Sequence, residues 1–285
     1  MSELNAASSA APRPAPPVRL RTVLCTCGGL YGALVLRRLR ACDGLEICAV
    51  IRSTRVLHPR YGFLRGALAQ VRRSGIAYSL YLWCATTLAD WLCALGGVGA
   101  VPAHSVTPGL RVLNTRNLND AQVLQFLSAC APDLLVSAFF NQRLHPDTLA
   151  QPKYGCVNIH PSLLPDAKGV DPVFQGLLSG ASSLGVTVHF MSPEFDAGRI
   201  IAQRSVGRRT GSSVFATTAV LFREGAELLA GALEQIVRGW TGTPQSGAGS
   251  YQSWPTRQEV RVLSASGGAL LRLADLMRLV RGKLP

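Results

Sequence analysis

The amino-terminal part of the sequence runs from a strand pattern through a glycine turn and a helix pattern to a second strand, and this order constrains the fold most strongly. Arg21 to Cys27 is a strand-like run, glycines at 28, 29 and 32 mark a turn into a helix ending near Cys42, and Glu46 to Ile51 is a second strand. Strands joined by helices in this way build parallel sheets. We therefore predict an α/β fold: a Rossmann-like doubly wound, mostly parallel sheet with a small C-terminal appendage.

The composition fits a folded protein with reduced thiols. The chain has 285 residues, of which 48% are hydrophobic and 16% charged, and it can bury a large core. Eight cysteines without a Cys-x-x-Cys pair and five scattered histidines indicate a cytoplasmic protein without a metal site. The 29 Lys and Arg against 16 Asp and Glu give a formal charge of +13. That charge suits tRNA, a phosphorylated acceptor or an anionic membrane surface, and an Arg-rich protein without such a partner stays an alternative.

The pattern divides the chain into three regions. Residues 1–18 are rich in Ala, Ser and Pro and are expected to be a disordered tail. Residues 19–206 form the α/β domain, with a helical insertion at 55–105, and residues 207–285 form a C-terminal helical appendage. The insertion combines an Arg-rich flank with apolar runs that are too short to span a bilayer. We favour a helical insertion packed on the core, with peripheral membrane contact as the alternative.

Two polar side chains lie where a buried strand ends. Asn158 and His160 alternate with Val157 and Ile159, so both point to the same face, and Pro161 ends the strand. In open parallel sheets, ligands bind at the carboxyl ends of strands. A second strand-like run, Gly185 to Phe190, precedes a polar loop whose carboxylates, Glu194 and Asp196, could reach the imidazole.

These residues resemble the two motifs of the folate-dependent formyltransferase family. The first motif reads Asn158-x-His160-Pro-Ser-Leu-Leu-Pro165, the second reads Asp196-x-Gly198-x-Ile200, and the similarity extends upstream to Pro132. The family includes glycinamide ribonucleotide formyltransferase, the catalytic domain of methionyl-tRNA formyltransferase and sugar N-formyltransferases. The resemblance implies the formyltransferase fold for 19–206, with 10-formyltetrahydrofolate as co-substrate and an amino group as acceptor.

The resemblance also implies roles for single residues. Asn158 would donate to the tetrahedral oxygen, His160 would stabilise that oxygen or shuttle a proton, and Asp196 would set the charge of the histidine and relay the amine proton. Residues on two loops would bind the folate: Phe140, Asn141, Gln142, Leu144, Ser192, Glu194 and Phe195. The turn glycines Gly28 and Gly29 would receive the acceptor. For His189, orienting the folate loop and a structural role are equally open.

The acceptor and two rival activities stay open. Lys168-Gly169 and Arg199 depart from the pattern of the family, so a nucleotide-linked amino sugar, an amino acid derivative and a lipid-borne amine are all candidates. A hydrolase that releases formate would use the same three residues on water. Gly29, Gly32 and Arg52 also fit an NADP-dependent oxidoreductase, although Cys27 replaces the first glycine of that fingerprint.

The residues also bear on partners and on non-enzymatic roles. A non-catalytic folate-binding or scaffold protein is disfavoured because Asn158, His160 and Asp196 are all present. The segment after Gly239 is short for the β-barrel-like domain that binds tRNA in methionyl-tRNA formyltransferase. We therefore expect a small-molecule amine acceptor and no dedicated tRNA-binding domain, and a homodimer stays open.

Overall fold

A computed structural model describes residues 19–56, 60–95, 110–247 and 249–281. The expected tail, 1–18, lies outside these ranges. Most of the strands belong to one sheet: β1 Leu20–Thr26, β2 Leu45–Ser53, β3 Arg111–Thr115, β4 Leu134–Ala138, β5 Cys156–His160, β7 Ser183–Phe190 and β8 Ile200–Gly207. The short strands β6 Lys168–Gly169 and β9 Tyr251–Gln252 pair with each other in parallel.

The main sheet has the order β3-β2-β1-β4-β5-β7-β8. Strands β1 to β5 run parallel, whereas β7 and β8 are antiparallel to their neighbours. The sheet reverses its strand order between β1 and β4, which is where a doubly wound sheet opens a crevice for ligands. The prediction of an α/β fold with a mostly parallel sheet is confirmed.

Helices cover both faces of this sheet. The helices of the domain are α1 Gly29–Arg40, α4 Ala121–Cys130, α5 Pro146–Leu149, α6 Pro172–Leu178 and α7 Val214–Val237. Strand residues alternate between two cores: Leu24 and Val50 pack with α1 and α7, while Val23 and Ile51 pack with α4. Burial on both faces is why these strands read as nearly continuous apolar runs.

The region called the insertion contains α2 Phe63–Trp83, a π-helical turn Cys84–Leu88 and α3 Ala89–Leu95. Gly75 has φ 85° and interrupts α2, a conformation that glycine adopts without strain. One face packs on the domain through Tyr78, Tyr81 and Ala85, which belong to the main core. No helix in the described part of the chain is long and apolar enough to cross a membrane.

The C-terminal region continues from the domain without a separate core. Helix α7 is capped by Ser213, whose Oγ accepts from Ala216 N at 3.0 Å, and its buried face completes the main core. After it come α8 Arg257–Ala265 and α9 Leu273–Val280. The α9 carboxylate Asp275 is buried and accepts from Ser213 Oγ at 2.7 Å. The expected division at residue 206 stays a prediction, and α7 lies on the sheet like the other helices of the domain.

Some element ends differ from expectation. The apolar run from Leu134 predicts a strand to Phe140, but β4 ends at Ala138, because Phe139 has φ 49° and turns the chain away from the sheet. The helical pattern near the end of the sequence predicts a last helix over residues 269–281, but α9 begins at Leu273, because residues 269 and 270 bond instead to the start of α7. Both differences come from tertiary contacts that local periodicity does not contain.

Candidate active site

Strands β5 and β7 place the polar residues of the site next to each other. In their antiparallel register Asn158 lies opposite His189, and His160 lies opposite Thr187. Directly opposed side chains on one face of such a pair lie about 5 Å apart. The register therefore brings the predicted amide beside a histidine that the two family motifs do not include.

Asp196 completes the cluster from the loop that follows β7. Its backbone is left-handed, with φ 50°. Its Oδ1 lies 3.6 Å from His160 Nδ1, 3.5 Å from Asn158 Nδ2 and 3.8 Å from His189 Nε2. Its Oδ2 accepts from the N–H of Gly169 at 2.8 Å. The structure thus brings together the three residues predicted to be catalytic and adds His189.

His189 fixes the orientation of the Asn158 amide. Its Nδ1 lies 2.7 Å from the carbonyl of Phe190, which can only accept, so Nδ1 carries the proton. The other nitrogen, Nε2, is then an acceptor for Asn158 Nδ2 at 3.2 Å. Burial, followed by the neighbouring His160, lowers the pKa of His189 to about 4, so the ring is neutral at physiological pH. One amide hydrogen of Asn158 is held by His189, and Nδ2 also donates to Asp196 Oδ1 at 3.5 Å.

His160 lies between two oxygens. Its Nε2 is 3.1 Å from the carbonyl of Ala167, and its Nδ1 faces Asp196 at 3.6 Å. A carbonyl oxygen can only accept, so Nε2 carries a proton, and Nδ1 is the ring nitrogen turned towards the carboxylate. The side chain is only 5% exposed, and the surrounding low-polarity environment strengthens its interaction with charge that develops nearby.

A second set of hydrogen bonds holds the turn after His160. Thr187 Oγ1 donates to the carbonyl of Ser162 at 2.6 Å and accepts from the N–H of Leu164 at 3.1 Å. Gln203 Nε2 donates to the carbonyl of Leu164 at 2.7 Å. These hydrogen bonds hold the backbone that follows His160 in a defined conformation.

The Asp196 loop is held from the C-terminal side of the chain. Gln245 Nε2 donates to the carbonyls of Asp196 at 2.8 Å and of Gly198 at 2.7 Å. A Cβ on Gly198 would lie 1.7 Å from the carbonyl oxygen of Phe190, so only glycine fits there. The glycine of the second motif therefore has a packing reason: it lets the loop return close to β7.

The two loops predicted to bind folate contact each other. Arg143 donates to the carbonyl of Pro193 and lies over the ring of Phe195, with its guanidinium carbon 5.2 Å from the ring centre. The 192–195 loop is largely exposed, and Ser192 Oγ donates to the carbonyl of Glu194. This contact holds the two loops next to each other.

On the 140–144 segment, the side chains have structural partners. Asn141 Oδ1 accepts from Ser53 Oγ at 2.7 Å, Gln142 Oε1 accepts from the N–H of Leu118 at 2.7 Å, and Leu144 is buried. Phe140 packs against the core on the α4 side. A ligand here would contact the backbone of the segment rather than the side-chain amides of Asn141 and Gln142. The assignment of these residues to folate binding stays a prediction.

The glycine turn after β1 is covered by the insertion. A Cβ on Gly29 would lie 2.2 Å from the carbonyl oxygen of Ala85, and one on Gly28 would lie 2.7 Å from Arg52 Nε. Arg52 Nη2 pairs with Asp90 at 2.9 Å. Burial raises the pKa of Asp90 to about 6 against the opposing effects of Arg52 and the Gly29 N–H. A carboxylate of the chain itself thus faces the start of α1, and the assignment of Gly28 and Gly29 to the acceptor stays a prediction.

These contacts also bear on the NADP alternative. In a dinucleotide-binding protein, the pyrophosphate approaches the glycine turn closely and Arg52 would meet the 2′-phosphate. Here the turn packs against Ala85, and Arg52 is engaged by Asp90. This arrangement does not support the NADP alternative.

Sequence reasoning missed two parts of the site and left the role of a third open. Gln245 and Gly169 are separated from the motifs by loops, and no local pattern marks their contacts with the Asp196 loop. His189 was visible in the strand pattern, but its role depends on register. Among the described residues, no group of three or more His, Cys, Asp or Glu is arranged to hold a metal ion.

Comparison with known proteins agrees with the two motifs. Residues 99–215 match the family model described as formyl transferase. Methionyl-tRNA formyltransferase of Geobacillus sp. (strain WCH70) is 36% identical over 131 residues, which are 46% of this chain and 41% of that enzyme. The enzyme of the same name from Roseiflexus sp. (strain RS-1) is 39% identical over 137 residues, 48% of this chain and 42% of that enzyme. The matched stretch therefore spans less than half the length of these curated relatives.

Solved structures share the fold. A sugar N-formyltransferase from Shewanella sp. FDAARGOS_354 superposes with a TM-score of 0.52 at 15% identity, covering 82% of this chain and 76% of that one. Glycinamide ribonucleotide transformylase 1 from Symbiobacterium toebii has a TM-score of 0.51 at 20% identity, covering 78% and 89%. These superpositions show that this chain has the same fold as the two proteins. Together with the matched segment, they confirm the resemblance to the folate-dependent formyltransferases.

Proposed function

We propose, from the premise that residues 99–215 are a formyl transferase segment, that this chain transfers a formyl group from 10-formyltetrahydrofolate to the amino group of an acceptor. One observation carries the proposal: Asp196 Oδ1 lies 3.5 Å from the Asn158 amide and 3.6 Å from the His160 ring. A hydrogen-bond donor and an imidazole ring then lie within 3.6 Å of a proton acceptor, and acyl transfer to an amine uses groups of these kinds.

The reaction assigns one task to each group. The amine nitrogen attacks the formyl carbon, a C–N bond forms, and negative charge develops on the formyl oxygen. Asn158 Nδ2 and the His160 ring stabilise that oxygen, and Asp196 takes the proton that the attacking amine loses. The oxyanion then collapses, the bond from the formyl carbon to N10 of the folate breaks, N10 receives the proton that Asp196 took up, and tetrahydrofolate leaves. His189 positions Asn158 without touching the reacting atoms.

The folate would lie along the two loops that Arg143 joins. Residues 140–144 would offer backbone groups to the pterin ring, and the exposed loop 192–195 would cover it. Cytoplasmic location, a small-molecule amine acceptor, the lack of a dedicated tRNA-binding domain and a homodimer all stay predictions.

The first test separates folate binding from turnover. We expect calorimetric titration with a stable 10-formyl folate analogue to give binding in the micromolar range for the unmodified chain, Asp196→Asn and His160→Ala. Both variants should lose turnover by about a hundredfold or more, because each removes a group that acts on a proton or on the oxyanion. Turnover is measured as formylation of candidate amines.

Formate release without an amine is the control that separates a transferase from a hydrolase. If formate appears at the same rate with and without every amine tested, the hydrolase is the correct activity. Near-normal turnover in both variants would remove Asp196 and His160 from the mechanism. A folded chain that does not bind the folate analogue would refute the proposed donor.

A further inference from the structure

A surface cleft of about 870 Å³ lies between the insertion and the C-terminal segment. The residues that line it include three arginines and two aromatic residues: Tyr61, Arg65, Leu68, Arg72, Arg73 and Trp254. None of the residues lining it is acidic. A cavity of this size is within the range that holds small ligands.

The arginines of the cleft form one positive wall. Arg65 and Arg72 are exposed and stand seven positions apart on α2, which places them on the same side of the helix. Arg73 is adjacent, and its Nη2 donates to Ser253 Oγ at 2.7 Å, which holds it towards the opposite wall. Guanidinium groups bind phosphate oxygens through paired N–H donors, so a wall of this kind selects a phosphorylated ligand.

The opposite wall offers flat and apolar surface. Trp254 is half-buried and packs edge-on against Tyr78, with ring centres 6.4 Å apart, so its indole is held in place. Leu68 is 51% exposed between the arginines on α2. Indole and aliphatic surface next to cations suits a ligand that carries a ring or a chain beside its phosphate.

The cleft is connected to the catalytic carboxylate by a short path. Gln252 of β9 pairs with Gly169 of β6, and the N–H of Gly169 bonds to Asp196 Oδ2 at 2.8 Å. Trp254 follows Gln252 by two residues. One strand spacing and two extended residues place Trp254 within roughly 15 Å of Asp196. That distance suits one ligand that reaches both places.

The walls are tied to each other and lie outside residues 99–215, the segment that matches the family model. Arg257 Nη2 donates to the carbonyl of Val71 at 3.0 Å, and its side chain lies against Gly75 at the break in α2. These contacts hold α2 beside the start of α8. The cleft is therefore a stable feature made by the parts of the chain that the family match does not cover.

We propose that this cleft binds a phosphate or diphosphate group of the amine acceptor, with the neighbouring ring or chain of that acceptor against Trp254. The inference rests on the proposed function and names its substrate class: an amine that carries phosphate. Either a soluble nucleotide or a diphosphate linked to a lipid supplies this chemistry. The α1 end of the sheet is less suited to the phosphate, because Asp90 already faces the Gly29 N–H there.

The test measures anion binding to the full chain without folate. Inorganic pyrophosphate and uridine diphosphate are titrated by calorimetry into the unmodified chain and into the double variant Arg65→Ala/Arg72→Ala. We expect the double variant to bind both at least tenfold more weakly, and binding by the unmodified chain to weaken as salt is raised. The charge-matched control is Arg208→Ala/Arg209→Ala, two exposed arginines after β8, which should bind as the unmodified chain does.

Two further measurements identify the ligand class. Trp254→Leu should weaken the binding of uridine diphosphate more than the binding of pyrophosphate, because only uridine diphosphate has a ring that can pack on the indole. Vesicles of phosphatidylglycerol are sedimented with the same proteins: binding to vesicles alone, lost in the arginine variant, indicates the lipid-borne source. Equal binding by the unmodified chain and the arginine variant, or no binding to any of these probes, would overturn the proposal.

The folate titration keeps the two proposals distinct. All variants of the cleft should bind the 10-formyl folate analogue normally, because none of the changed residues lies on the folate loops. Loss of pyrophosphate binding with intact folate binding and turnover of a phosphate-free amine would leave formyl transfer in place. Pyrophosphate binding that depends on Arg65 and Arg72 in a chain that never binds folate would retain the anion site and refute the proposed reaction.

Discussion

At the scale of single residues, His189 shows how burial changes chemistry. The ring is 2% exposed, and burial lowers its pKa from 6.5 to about 4. Between these two values the unfolded chain binds a proton that the folded chain excludes. The contribution of His189 to the free energy of unfolding therefore falls as the pH is lowered from about 6.5 to about 4, and the loss is complete below that window.

We predict that His189→Gln removes this part of the pH dependence. From the shift in the pKa of His189, its contribution should lower the free energy of unfolding of the unmodified protein by about 2 kcal/mol between pH 7 and pH 5. Urea unfolding at the two pH values measures the difference, with His145→Gln, whose ring is on an exposed loop position, as the control. The same pH dependence in the His189 variant and the unmodified chain would contradict the assignment.

At the scale of elements, α7 is fitted to the strands that carry the site. A Cβ on Gly225 would lie 2.3 Å from Ile159 Cγ2 and 2.7 Å from Val186 Cγ2, so the helix contacts β5 and β7 directly at its glycine. Gly231 lies six residues further along the same helix. A Cβ added there would have no atom within 4 Å apart from its own stretch of helix. The two positions therefore separate packing from helix propensity.

Gly225→Ala should destabilise the protein by roughly 1–3 kcal/mol, because the added methyl overpacks the core against β5 and β7. Gly231→Ala should instead stabilise it by roughly 0.5–1 kcal/mol, because alanine is the better helix former where space is open. Chemical unfolding of both variants checks the opposite signs. Stabilisation by both substitutions would mean that α7 does not approach the sheet as closely as described.

At the scale of the whole molecule, a partly buried ion pair joins the insertion to the sheet. Arg52 lies on β2 and Asp90 lies on α3, and their side chains are 17% and 11% exposed. Burial outweighs the effect of Arg52 on the carboxyl, since the pKa of Asp90 rises to about 6 despite the contact at 2.9 Å. The pair therefore fixes the position of the insertion against the glycine turn, and its net contribution to the free energy of unfolding is small.

Asp90→Ala should destabilise the protein by roughly 3 kcal/mol, because it leaves the Arg52 guanidinium largely buried without its partner. Glu234→Ala breaks an exposed pair with Arg238 on α7 and should change stability by less than roughly 1 kcal/mol. Thermal unfolding of both variants at pH 7 measures the contrast. Equal effects would indicate that the insertion is not anchored through Arg52.

The sequence by itself determined the fold class and pointed to the candidate catalytic residues. Strand alternation placed Asn158 and His160 on one face, and the turn after β1 predicted the doubly wound sheet, because both patterns repeat over a few neighbouring residues. The spacing between the two motifs supplied Asp196. These properties are local, or belong to a resemblance carried by short segments.

Only the tertiary structure decided which distant residues meet. The register of β5 on β7 sets His189 against Asn158, the loop after α7 brings Gln245 to Asp196, and the packing of α2 beside residues 251–254 forms the arginine cleft. Each of these contacts joins residues far apart in the chain, and its geometry depends on how whole elements pack. Hydrophobic burial selects that packing, and no pattern within one segment contains it.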